Sequence, residues 1–203
     1  MVSAGSNWDL YMAKYSSDGV FQWGIELGNT YNELSTRIAL DGSGNIIHAQ
    51  DVRGTFDMDP GPATVSFNGG NDGVGTLSKY TPDGTFLWYK AVGITCQALD
   101  VLANGEFVGV SGFAGEVIIG EAPNTITIGD VAVTSAQAIV RFDAQGDPLQ
   151  GVFIPKLQNL FVAVAPDGEV TMAGSVVGGS DLDPGPGTNI HTSNGPWMPS
   201  HCA

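Results

Sequence analysis

The sequence predicts an all-β fold built from repeated antiparallel hairpins, and three observations carry that expectation. The 203 residues include 29 Gly and 11 Pro, well above the usual share of about an eighth, and breakers this frequent leave little room for long helices. Val and Ile number 31 against 12 Leu, and β-branched side chains suit a pleated sheet better than a helix. Turn signals closing on Gly recur along the chain at a period of about 60 to 65 residues, which marks a repeat architecture. With 42% hydrophobic residues, the chain has enough apolar material for a core and is not disordered.

Two kinds of hairpin alternate along the chain. The first kind is Met12-Ala13-Lys14-Tyr15-Ser16-Ser17-Asp18-Gly19-Val20-Phe21-Gln22-Trp23, two β-rich runs around a Gly-closed turn. It returns 65 residues later as Lys79-Tyr80-Thr81-Pro82-Asp83-Gly84-Thr85-Phe86-Leu87-Trp88. A third copy follows after 62 more as Arg141-Phe142-Asp143-Ala144-Gln145-Gly146, without the Trp. The second kind reads Asp41-Gly42-Ser43-Gly44-Asn45-Ile46, Ala103-Asn104-Gly105-Glu106-Phe107 and Pro166-Asp167-Gly168-Glu169-Val170, with Asp, Asn and Gly at the left-handed turn positions. The expected organisation is a repeat region over 1–194. It comprises a half unit at 8–26, whole units at 36–92 and 97–155, and a half unit at 159–189, followed by a tail at 195–203.

Two hairpins per period make a four-stranded antiparallel unit, and radial repetition of such units is a β-propeller. The chain holds about three such blades, below the usual four to eight, so the expectation is a partial ring or one completed by oligomerisation. The half units at its two ends are complementary, and a homodimer sharing them would hold six blades. The Lys-Tyr-x-x-Asp-Gly-x-Phe-x-Trp, Asp-Gly-Ser-Gly-Asn-Ile and Phe56-Asp57-Met58-Asp59-Pro60-Gly61-Pro62 elements resemble the bacterial β-propeller repeat family, from about Asn7 to Asn189. Members of that family run as tandem copies in large surface or secreted proteins. The resemblance implies an extracellular or cell-surface location and a scaffold role, and it is specific for fold rather than activity.

Seven basic residues against 21 acidic ones give a net charge of −14, which argues against nucleic acid and anionic membranes as partners, since both select clustered Lys and Arg. No apolar run approaches the ~18 residues of a membrane span. The first 15 residues have no basic and apolar leader pattern. Cys96 and Cys202 show no metal or redox spacing.

Three sets of residues are candidates for chemistry. The acidic turns carry Asp57 and Asp59, and again Asp181 and Asp183. Two carboxylates on one side of an extended segment could serve Ca²⁺. The competing reading, a rigid turn with Asp capping backbone amides, is favoured because no Asp-x-Asp-x-Asp-Gly loop follows. The middle repeat replaces the pair with Ile118 and Gly120. Lys14, Lys79 and Arg141 share one repeat position and would form either a ring of cations around an anionic ligand or one ion pair per blade. Trp23 and Trp88 would form either sugar-stacking platforms or core between blades. His48, His191 and His201 share no ligand spacing, and neither a nucleophile elbow nor a phosphate loop is present. The expected function is therefore a non-enzymatic extracellular or cell-surface scaffold or interaction module, with no cofactor and a protein or carbohydrate partner. A carbohydrate- or calcium-binding module is the alternative, and a propeller-fold lyase or glycosidase comes last.

Overall fold

The computed structural model describes residues 8–176 and 178–193, and these are all-β: strands, turns and connections with no helix. The hairpin β1 (Leu10–Tyr15) and β2 (Phe21–Leu27) comes first. Next come β3 (Leu34–Leu40), β4 (Ile46–Val52), the short hairpin β5 (Thr55–Asp57) and β6 (Ser66–Asn68), then β7 (Val74–Tyr80) and β8 (Phe86–Ala91). Strands β3, β4, β7 and β8 form one antiparallel sheet in that order, with β5–β6 as an excursion between its middle strands. The plan repeats in β9 (Ala98–Val101), β10 (Phe107–Phe113), β11 (Glu116–Glu121), β12 (Asn124–Gly129), β13 (Ala136–Phe142) and β14 (Pro148–Pro155). Here β9, β10, β13 and β14 make the sheet and β11–β12 the excursion. The described chain finishes with the hairpins β15 (Leu157–Val164) with β16 (Val170–Val176), and β17 (Gly179–Asp181) with β18 (Ile190–Thr192). Residues 195–203, read as a tail, and Cys202 with any pairing to Cys96 lie outside the described residues, as does His201.

One turn geometry joins the strands of six hairpins, β1–β2, β3–β4, β7–β8, β9–β10, β13–β14 and β15–β16. Ser16 N–H donates to the Val20 carbonyl and Gly19 N–H to the Ser16 carbonyl, and the same two bonds recur in the turns that start at Asp41, Thr81, Leu102, Asp143 and Ala165, at 2.7–3.1 Å. This is a tight turn followed by a left-handed residue, which only Gly adopts without cost. The six glycines concerned have φ between 78° and 92°. Asp41 and Asp143 reinforce their turns by accepting N–H bonds from residues two and four positions on.

The sheets stack face on face, and this explains why the middle strands are buried on both sides rather than alternating. On β4 every residue but Asp51 is buried, and on β7 every residue but Val74. Val52 and Tyr80 point into a core shared with Leu10, Met12 and Leu27 of the first hairpin. Ile47, Ala49 and Leu77 point the other way, into a core shared with Phe107, Ala138, Val140 and Phe142 of the next sheet. Val110 and Ile154 then meet Leu157 and Leu160 of the third layer boundary. Strand β3 lies beside β9, and β9 beside β15, so the first strands of successive sheets are neighbours.

Candidate functional site

The shared basic position is Lys14 on β1, Lys79 on β7 and Arg141 on β13, and two of the three charges are paired within their own sheet. Lys79 is buried and holds Asp41 at 2.9 Å. Burial alone would raise the Asp41 carboxyl, but hydrogen bonds from Asn45, Lys79 and the turn amides outweigh it and hold the group at about 2. Arg141 Nε lies 2.5 Å from Glu106 Oε2, so two sheets each carry a cation-to-turn ion pair. Lys14 instead donates to the Pro82 carbonyl of the next turn at 2.7 Å. A further pair, Lys90 with Asp147 at 2.8 Å, ties one sheet to the next. Sequence spacing gave no signal for it, because Lys90 has no counterpart in the other copies.

Trp23 and Trp88 pack onto turn glycines of the following sheet. A Cβ built on Gly84 would lie 3.5 Å from the Trp23 ring, and one on Gly146 would lie 2.9 Å from that of Trp88. Trp23 also donates its indole N–H to the Pro82 carbonyl at 3.3 Å. Each ring is half-buried with one face spent on backbone, an arrangement that holds adjacent layers in register. The equivalent third position is Gln150.

The acidic turns are copies of one hydrogen-bond pattern. Asp57 Oδ1 accepts from the N–H of Asp59 and of Val65, and Asp59 Oδ1 from that of Gly61. Asp181 and Asp183 do the same with the amides of Asp183, Asn189 and Gly185. These carboxylates take the amide partners that a strand ladder would otherwise supply. The middle repeat shows the consequence of losing them. With Ile118 in place of Asp, β11 runs on through Glu121 and pairs with β12 over six residues, whereas β5 stops at Asp57 after three. Among the described residues, no group of three or more His, Cys, Asp and Glu is placed to hold a metal ion.

Two cavities hold titratable side chains of interest. The ends of β3, β9 and β15 converge, and residues 40–42, 101–103 and 164–166 line a cavity of about 290 Å³ whose one charged member, Asp41, is the partner of Lys79. Neither Lys14, Lys79 nor Arg141 lines it. Between β1 and β3 a second cavity of about 390 Å³ is lined by Asp9, Glu33 and His48 among apolar residues. Burial pushes the Glu33 carboxyl up to about 7, with Asp9 adding to the shift, and burial pushes His48 down to about 4. Glu33 lies outside both hairpin patterns, so nothing in the repeat marks it as buried.

No family model matches the chain, and no curated protein matches it either. Among the described residues, no helix is long and apolar enough to cross a membrane.

Proposed function

We propose that the chain is an arc of a β-propeller and serves as a non-enzymatic scaffold or interaction module at the cell surface or outside the cell. The observation that supports the ring is the adjacency of β3, β9 and β15, whose equivalent turns bound one cavity. In a propeller the first strands of successive blades surround the axis in this way. The scaffold role is supported by how the conspicuous side chains are spent. Lys79 and Arg141 neutralise turn carboxylates, both Trp rings cover backbone, and the four turn aspartates cap amides. The net charge of −14 favours a protein or carbohydrate partner over polyanions.

A glycan array and a thermal melt on Trp88→Ala test this reading together. The scaffold role predicts no glycan binding by the wild type and a melting temperature lowered by several degrees in the variant, as expected for losing roughly 3 kcal/mol of aromatic packing. Saturable glycan binding that disappears in Trp88→Ala at an unchanged melting temperature contradicts it and favours the carbohydrate-binding alternative.

A further inference from the structure

The dipeptide Asn-Gly occurs at 68–69, 104–105 and 194–195, and the first two copies lie among the described residues. We propose that Asn104 is a site of self-modification, at which the turn between β9 and β10 directs the Gly105 nitrogen onto the Asn104 side-chain amide. The same dipeptide at Asn68 is held unreactive by its surroundings.

The turn supplies what the reaction needs. Asn104 Oδ1 accepts the N–H of Glu106 at 3.1 Å. A bond to the residue two positions ahead folds the side chain over the peptide between, which brings its amide carbon to the Gly105 nitrogen. The Glu106 N–H also stabilises the negative charge that the oxygen gains during attack. Gly105 has no side chain to obstruct the approach, and its φ is 86°. Asn104 is exposed, and a Cβ built on Gly105 would meet only the Ala144 methyl, at 3.5 Å. Attack forms a bond from the Gly105 nitrogen to Asn104 Cγ and breaks the bond from Cγ to Nδ2. The amide nitrogen leaves as ammonia, carrying the proton lost by Gly105, and a five-membered succinimide remains. One water then opens that ring at either carbonyl, giving Asp or isoaspartate and in both cases a new carboxylate.

Asn68 makes the same side-chain bond, accepting the Gly70 N–H at 3.0 Å, so the difference lies in the peptide that must rotate. Gly69 is buried. Its N–H donates to the Gly54 carbonyl at 2.9 Å, and the Gly70 carbonyl accepts from Gly54 N–H at 2.6 Å. A Cβ on Gly69 would run into the Val52 carbonyl, so this backbone is wedged against β4 and cannot turn without breaking both bonds. Gly105 N–H makes a single turn bond, to the Leu102 carbonyl at 2.9 Å, at an exposed tip.

The two products differ in what they do to the turn. Asp fits, since Asp167 in the equivalent turn accepts the Glu169 N–H at 3.2 Å. Isoaspartate adds a backbone methylene inside the turn that the bond from Leu102 N–H to the Glu106 carbonyl closes, and it displaces Glu106 from Arg141.

Peptide mapping by mass spectrometry tests the proposal on the full chain, aged in mildly alkaline buffer both folded and in denaturant. Conversion registers as a gain of about 1 Da at the asparagine. In the folded chain Asn104 is expected to convert about tenfold or more faster than Asn68, and in denaturant the two are expected to agree within about threefold. Asn68 keeping pace in the folded chain would overturn the proposal. So would an Asn104 lead that persists unchanged in denaturant, or no conversion at Asn104 while the denatured chain converts. Asn104→Asp is expected to melt with the wild type, and folded chains enriched in isoaspartate to melt below both. An Asn104→Asp variant that melts as low as those chains would overturn the assignment of the damage to isoaspartate.

Discussion

Burial beside Asp9 keeps the Glu33 carboxyl protonated up to about pH 7 in the folded chain, against an ordinary value of 4.5. Because the folded value is the higher one, stability falls as pH rises from 4.5 through 7 and stays at its lower level above that. Glu33→Gln is therefore expected to melt above the wild type at about pH 8 and level with it at about pH 4, which a melting series across pH checks. Asp41 has the opposite sign. Its value is depressed to about 2, so its contribution is present above the ordinary 3.8 and is lost as pH falls through 2. His48, held down at about 4 from 6.5 by burial, likewise withdraws stability as pH falls from 6.5 towards 4. The three groups differ in how far a sequence reveals them. Asp41 belongs to a turn motif whose amide bonds reach only two to four residues, so that part of its role is written locally, whereas its pairing with Lys79 is not. Glu33 and His48 are buried by chain distant from them in sequence, and no local pattern encodes that.

At the level of the element, the hairpin turns are the part most completely encoded by local residues. The Gly at the left-handed position and the polar residues before it dictate the bonds, and the structure repeats them six times. The excursions show the same dependence in reverse, because Ile118 in place of Asp lets β11 and β12 zip together over six residues. Asp57→Ala removes the acceptor for two amides, and a loss of about 1 to 2 kcal/mol is expected in chemical denaturation. Gly84→Ala and Gly146→Ala separate backbone strain from contact. Both glycines have φ of 87°, which costs about 1 to 2 kcal/mol for a residue with a Cβ. Only at Gly146 does the new methyl also press on a Trp ring, at 2.9 Å against 3.5 Å, so denaturation should show the larger loss there. Nothing in the turn sequence signals this difference, because it depends on where the neighbouring sheet lies.

For the whole molecule, the repeat made the all-β antiparallel character legible, since period, turn chemistry and β-branched composition point the same way. The four-stranded sheets run over residues 34–91 and 98–155, and their faces bury residues that a single amphipathic strand would expose. Which side chains face a ligand was harder to read. A cation or an aromatic at a repeated position signals a repeated contact, and whether that contact is a partner within the fold depends on neighbouring sheets. Asp41, Glu106 and the backbone of Gly146 are such partners, and each lies far from its cation or ring in sequence.

The stacking of one four-stranded sheet on the next carries the propeller reading, and chemical denaturation of Trp88→Ala, Gly146→Ala and the double variant measures it most directly. Because a methyl on Gly146 presses on the Trp88 ring, the double variant is expected to lose clearly less stability than the two single losses added together. Losses that simply add would contradict it.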